Sequence, residues 1–220
     1  MRDLTGALLP VQKALTALGQ GELAILTDGL AGGAYLVAPA SLAGEQIINF
    51  MATHGRGLIC LSLPASRVDA LNLPGMPQRN RTVMGWPYTV SIEARHGITT
   101  GISAKERAHT ILTAAHPQAR PEDIVSPGHV FPLRAQEGPL GPQSGPPEVS
   151  VTLAHWAGQV PAAVICAILD DDGELAQGDT PMRRALRHIP RLSMTEALRA
   201  QAMLSAAVTT DTLIMEEGSA

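Results

Sequence analysis

Four short apolar runs constrain this chain more than any other feature: LAILT (23–27), AYLVA (34–38), GLICLSL (57–63) and AAVICAIL (162–169). Runs of that length, closed by Gly, Pro or Asp, have the dimensions of buried strands and are too short for core helices. The first two bracket DGLAGG, a turn signal. YTVSIEA (88–94) alternates as a half-buried strand does, and VSVTLA (149–154) reads as a further strand. Helical spacing lies between them, at LLPVQKALTAL (8–18) before Gly19, at 42–55, and in the short PASRVDALNL starting at a proline. Ser103-Ala-Lys-Glu106 and Ser193-Met-Thr-Glu196 have the spacing of capping boxes, which predict a helix to about Ala115 and a C-terminal helix. Strands and helices interleave without a strict βαβ repeat, so the pattern predicts a single α+β domain with a sheet, over 1–205. TTDTLIMEEGSA closes the sequence, and 206–220 reads as a flexible tail.

The composition narrows the function. Aromatic residues are only 3% of the chain, so Ala, Val, Ile, Leu and Met must build the core. The net charge of -4 argues against a nucleic-acid partner, which calls for a basic face. No apolar run is long enough to span a membrane, and MRDLTGALLPVQKAL lacks the pattern of a signal peptide. Cys60 and Cys166 both lie inside apolar runs and read as buried, reduced thiols, which fits a cytoplasmic protein. Neither the cysteines nor the histidines have zinc-ligand spacing. Trp86 and Trp156 read as core or interface anchors, and PMRRALRH (181–188) as a solvated basic helix face.

Four segments carry more specific information: THGRGLICLSL (53–63), YTVSIEARHGITTGISAKERAHTI (88–111), SPGHVFPLRAQEG (126–138) and VICAILDDDGELA (164–176). Together, and in this order, they resemble the 3,4-dihydroxy-2-butanone 4-phosphate synthases of riboflavin biosynthesis, from about residue 11 to about 203. The resemblance implies a mixed sheet wrapped by helices and a homodimer. It also implies a reaction that converts ribulose 5-phosphate to a four-carbon phosphate and formate, with magnesium holding and acidifying the substrate's oxygens. SPGHVFPLRAQEG, with its Pro and Gly punctuation, reads as a loop that walls the sugar-phosphate pocket.

Three segments depart from the family pattern. Family members carry an acidic loop after the first strand, Asp-Asp-Glu-Asp-Arg-Glu-Asn-Glu-Gly-Asp. The corresponding text here is the shorter Thr27-Asp28-Gly29-Leu30-Ala31-Gly32-Gly33-Ala34, with one carboxylate, Asp28. A divalent cation needs several hard oxygen ligands. The family's Arg-x-Gly-His-Thr-Glu, which supplies a phosphate-binding Arg and Thr and a metal-binding His, corresponds to Gln143-Ser144-Gly145-Pro146-Pro147-Glu148. The family's Cys-Glu-Leu strand end corresponds to Cys166-Ala167-Ile168, without the proton-transferring Glu.

The candidate site is therefore read with two meanings at each residue. His129 matches the family's catalytic His, or is a scaffold His bonded to a loop carbonyl. Thr99, Thr100 and Ser103 present hydroxyls and N–H groups to a phosphate, or Ser103 simply caps a helix. Arg134 faces the pocket or pairs with a carboxylate, and Glu148 matches a substrate-binding position or serves structure. The consecutive Asp170, Asp171 and Asp172 before Gly173 read as a hairpin turn. No metal ligand set and no cofactor are expected. The expected function is that of a degenerate synthase-like protein, a pseudoenzyme that binds a sugar phosphate or a flavin-related molecule. It would act as a homodimer, or as a heterodimer with an intact homologue. The alternatives are a metal-independent enzyme using His129 as general base, and a genuine magnesium-dependent synthase whose ligands, Asp28 and Asp170–Asp172, regroup in space.

Overall fold

A computed structural model describes residues 8–28, 32–77, 85–177 and 184–217, with side chains to 206. Its first elements are helix α1 (Leu9–Gly19), the antiparallel pair β1 (Ala24–Thr27) and β2 (Ala34–Pro39), and helix α2 (Glu45–Phe50), which widens into a π turn over Met51–Gly55. Strand β3 (Arg56–Pro64), helix α3 (Ala65–Ala70), the short strand β4 (Ile92–Ala94) and helix α4 (Ala104–Ala115) follow. The chain continues through β5 (Ile124–Ala135), α5 (Pro146–Trp156), β6 (Ala163–Ile168), β7 (Arg191–Ser193) and α6 (Met194–Glu217). The seven strands form one mixed sheet in the order β4-β5-β3-β6-β2-β1-β7. The fold is α+β, as the pattern of elements predicts. Among the described residues no helix is long and apolar enough to cross a membrane.

Strand alternation sends successive side chains to opposite faces of this sheet. Leu36, Ala38, Ile59, Leu61, Val164 and Cys166 point to one face, where Ile48, Met51, Val68 and Ile111 of α2, its π turn, α3 and α4 cover them. Val37, Ala24, Leu26 and Ala163 point to the other, under Val11, Leu18, Val149, Leu153 and Ala197 of α1, α5 and α6. Further along that second face, beyond these helices, lies a smaller cluster of Tyr35, Cys60, Leu133 and Ile165 with Trp86, Tyr88 and Phe131. The two cysteines are free and buried, as their apolar runs predict. Cys166 pairs in register with Ile59 and Cys60 with Ile165, so the two thiols lie on adjacent strands but on opposite faces.

Two expectations from sequence are overturned. VSVTLA is helical, within α5, although Val and Thr favour strands. Pro146 and Pro147 open the helix at positions that need no N–H donor. Val149 and Leu153, four residues apart, then bury one stripe against the sheet. SPGHVFPLRA is not a loop but the greater part of β5, held by parallel β3 on one side and antiparallel β4 on the other. Pro127 and Gly128 fall at a register shift opposite Ile92–Glu93, where a bulge tolerates both, while Pro132 pairs with Leu61 of β3. Of YTVSIEA only Ile92–Ala94 is regular strand, with isolated bridges at Tyr88 and Thr89. The α6 backbone stays helical to Glu217, past residue 205, where the sequence reading ends the domain.

Candidate functional site

The first group of candidate residues forms where β4, β5 and the start of α4 meet. His129 Nδ1 bonds the Glu93 carboxylate, which is 14% exposed while the His129 side chain is 43% exposed. Two glycines make this junction possible. A Cβ on Gly128 would collide with the Ile92 carbonyl, and one on Gly101, which sits at φ +81°, would overlap the Glu93 carboxylate. The loop before α4 is thereby pressed onto Glu93. Within that loop the Thr99 N–H and hydroxyl donate to Glu106 Oε1 at 2.5 and 2.7 Å, and the Ser103 hydroxyl donates to Oε2 at 2.8 Å. The Ser103 hydroxyl also accepts the Glu106 N–H, which completes the capping box anticipated from sequence. Bonds from the Thr99 N–H, then from the Thr99 and Ser103 hydroxyls, hold the Glu106 carboxyl down to about 2. Thr100 is exposed beside them. Of the three residues whose donors the sequence offers to a phosphate, Thr99 and Ser103 are thus already turned onto Glu106.

The second group lies at the other end of β5. Arg134 clamps Asp69 of α3 with two bonds of 2.6 and 2.9 Å and donates a third to the Ala65 carbonyl at 3.2 Å. The Arg134 bond keeps the Asp69 carboxyl below its ordinary range. Glu148 accepts the backbone N–H groups of Gln136 at 3.0 Å and Gly145 at 2.8 Å, so it ties the end of β5 to the start of α5. Five residues of strand, roughly 16 Å, separate His129 from Arg134. Within the chain the sequence-predicted residues therefore make two clusters, not one pocket.

Between the clusters lies the small aromatic group on the second face. Tyr35 and Trp86 have ring centroids 5.4 Å apart, and Trp86 stacks on Tyr88 at 6.3 Å. Tyr88 shares a hydrogen bond with Cys60, whose thiol burial pushes up to about 12. Ala167 packs on the same group. Asp28 is buried, with its backbone closing the turn to Gly32 and Gly33. Asp170 Oδ1 accepts the N–H groups of Asp172 and Glu174 at 3.0 Å, which makes the Asp170–Asp172 run the hairpin turn expected. Gly29, Leu30 and Ala31, and the start of PMRRALRH, lie outside the described residues. Sequence reading missed both Glu93, whose alternation in YTVSIEA marks a face but not a partner, and the aromatic group.

Comparison with known proteins places this geometry. The family model for 3,4-dihydroxy-2-butanone 4-phosphate synthase matches residues 12–200. The chain belongs to that synthase family. A 3,4-dihydroxy-2-butanone 4-phosphate synthase from Neisseria meningitidis is 46% identical over 181 residues, covering 81% of this chain and 50% of its own length. The riboflavin biosynthesis protein RibBA of Aquifex aeolicus is 44% identical over 182 residues, covering 81% of this chain and 45% of its own. This synthase-family chain thus spans about half the length of these curated relatives. A solved 3,4-dihydroxy-2-butanone 4-phosphate synthase in complex with two magnesium ions superposes with a TM-score of 0.75 at 32% identity, over 91% of this chain and 97% of that one. Among the described residues no three His, Cys, Asp or Glu side chains are placed to hold a metal. Pro146 and Pro147 are buried at the start of α5, and Ala167 on β6 packs on the aromatic group.

Proposed function

We propose that this chain keeps the scaffold of riboflavin biosynthesis's 3,4-dihydroxy-2-butanone 4-phosphate synthase without its turnover, and serves as a ligand-binding or regulatory pseudoenzyme. The start of α5 carries the reading. Two buried prolines, which have neither a ligating side chain nor an N–H, stand where the resemblance implies a metal-binding His and a phosphate-binding Thr. Glu148 beside them is spent on backbone N–H groups. Conversion of ribulose 5-phosphate needs groups that acidify its hydroxyls and move protons, and losing one acid/base group alone costs roughly 10²–10⁴-fold. Here the β1–β2 turn, the α5 start and the β6 end lack them together. The active assembly would be a homodimer, or a heterodimer with an intact homologue, in the cytoplasm.

His129 supports a second reading, a metal-independent reaction. With Nδ1 on Glu93, the ring's Nε2 remains to meet a ligand as a general base. One assay separates these readings. Purified chain is incubated with ribulose 5-phosphate, in magnesium and in EDTA, and formate is measured. No formate in either is expected. Formate in EDTA, lost in His129→Ala, would establish the metal-independent enzyme, and formate only with magnesium at a synthase's rate would overturn both readings.

A further inference from the structure

In a chain so poor in aromatic residues, both tyrosines, one of two tryptophans and one of two phenylalanines gather on one patch of the second sheet face. Tyr35 is its floor, 2% exposed, while Trp86, Tyr88 and Phe131 are half-buried and keep part of their rings at the surface. Trp86 lies tilted by 42° to Tyr35 and within 25° of parallel to Tyr88. Around the rings are Leu133, Ile165, Ala167 and Leu175, all without charge. Ala167 is the smallest of these.

The patch has the composition of a small-molecule site, mostly apolar with a few polar atoms. Its proton-bearing groups stay neutral across the ordinary pH range. Burial, then the neighbouring Asp28 charge, raises the Tyr35 hydroxyl to about 12, and burial likewise raises Cys60 to about 12 and drives Tyr88 up. Among the described residues of the cluster a phosphate therefore meets no cation, and a divalent cation meets a single neighbouring carboxylate, Asp28, short of the several oxygen ligands it needs. A flat, uncharged ring meets apolar surface and stacking partners.

We propose that Tyr35, Trp86, Tyr88 and Phe131 form a platform that binds a planar, uncharged conjugated ring by stacking, without a metal ion. The inference deepens the proposed function, on which it rests for the premise that sugar-phosphate chemistry has left this face. The full chain carrying Trp156→Phe, with Trp86 as its only tryptophan, is titrated with three probes. These are lumichrome (a flat tricyclic ring), riboflavin (a ring of the same type on a sugar-alcohol chain) and ribitol (the chain alone). Saturable quenching of Trp86 fluorescence by lumichrome and riboflavin, unchanged by magnesium or EDTA, and no response to ribitol are expected. Trp86→Ala, measured by equilibrium dialysis, should weaken ring binding roughly 5- to 150-fold, and Trp86→Phe should recover most of it. Circular dichroism checks folding, and if Trp86→Ala does not fold, Phe131→Leu at the half-buried rim tests the same patch. Absence of saturable ring binding overturns the platform, as does binding that survives these substitutions or binding of ribitol as tight as that of riboflavin. Formate release from ribulose 5-phosphate fails the proposed function instead, so the two failures are distinguishable.

Discussion

His129 and Glu93 lie on neighbouring strands and share a side-chain hydrogen bond. Glu93 is mostly covered, so His129→Ala leaves a carboxylate with little access to water and one donor fewer. The expected cost is about 1–3 kcal/mol, read as a lower midpoint in urea unfolding. Glu106 has a different signature. Its carboxyl falls from an ordinary 4.5 to about 2 because Thr99 and Ser103 donate to the ionised form. A depressed pKa means that folding favours the charged group. That contribution is complete above about pH 4.5 and disappears as pH falls toward about 2. The melting temperature of the parent chain should therefore fall more steeply than that of Glu106→Ala between those limits. Parallel melting curves against pH for the two proteins would contradict the assignment.

At the scale of elements, two junctions decide where the candidate residues stand. The loop into α4 rests on Gly101, whose φ of +81° and contact with Glu93 leave no place for a side chain. Gly101→Ala should cost at least about 1–2 kcal/mol from backbone strain alone, measured by chemical denaturation. The other junction is the seam between β5 and α5. Glu148→Ala frees the N–H groups of Gln136 and Gly145, with an expected loss of about 0.5–2 kcal/mol and earlier hydrogen exchange at those two amides. Exchange unchanged at both amides would show that Glu148 does not hold the seam. The capping boxes of α4 and of α6 were readable because their partners lie three residues apart. VSVTLA was misread because local propensity favours a strand, while packing against α1 and the sheet selects a helix.

Across the whole molecule, the sheet order brings together what the chain keeps far apart. Cys60 and Cys166 sit on hydrogen-bonded neighbours yet face opposite layers, so a side-chain bridge would have to pass through the sheet. Treatment of the folded chain with a thiol oxidant should give no internal disulfide, and a faster-migrating band on a non-reducing gel would contradict the register. Residue identity and short-range spacing by themselves determined the α+β class, the apolar strands, both capping boxes, the Asp170–Gly173 turn and the family. Each of these is written in neighbouring residues. Only the tertiary structure decided that SPGHVFPLRA is strand β5, because its hydrogen bonds go to β3 and β4 and outweigh its Pro and Gly. The same holds for His129, whose partner is 36 residues away. It holds for Arg134, committed to an Asp 65 residues distant. The aromatic patch joins residues 35, 60, 86, 88 and 131, which no periodicity links, because the order of strands β2, β6, β3 and β5 makes them neighbours.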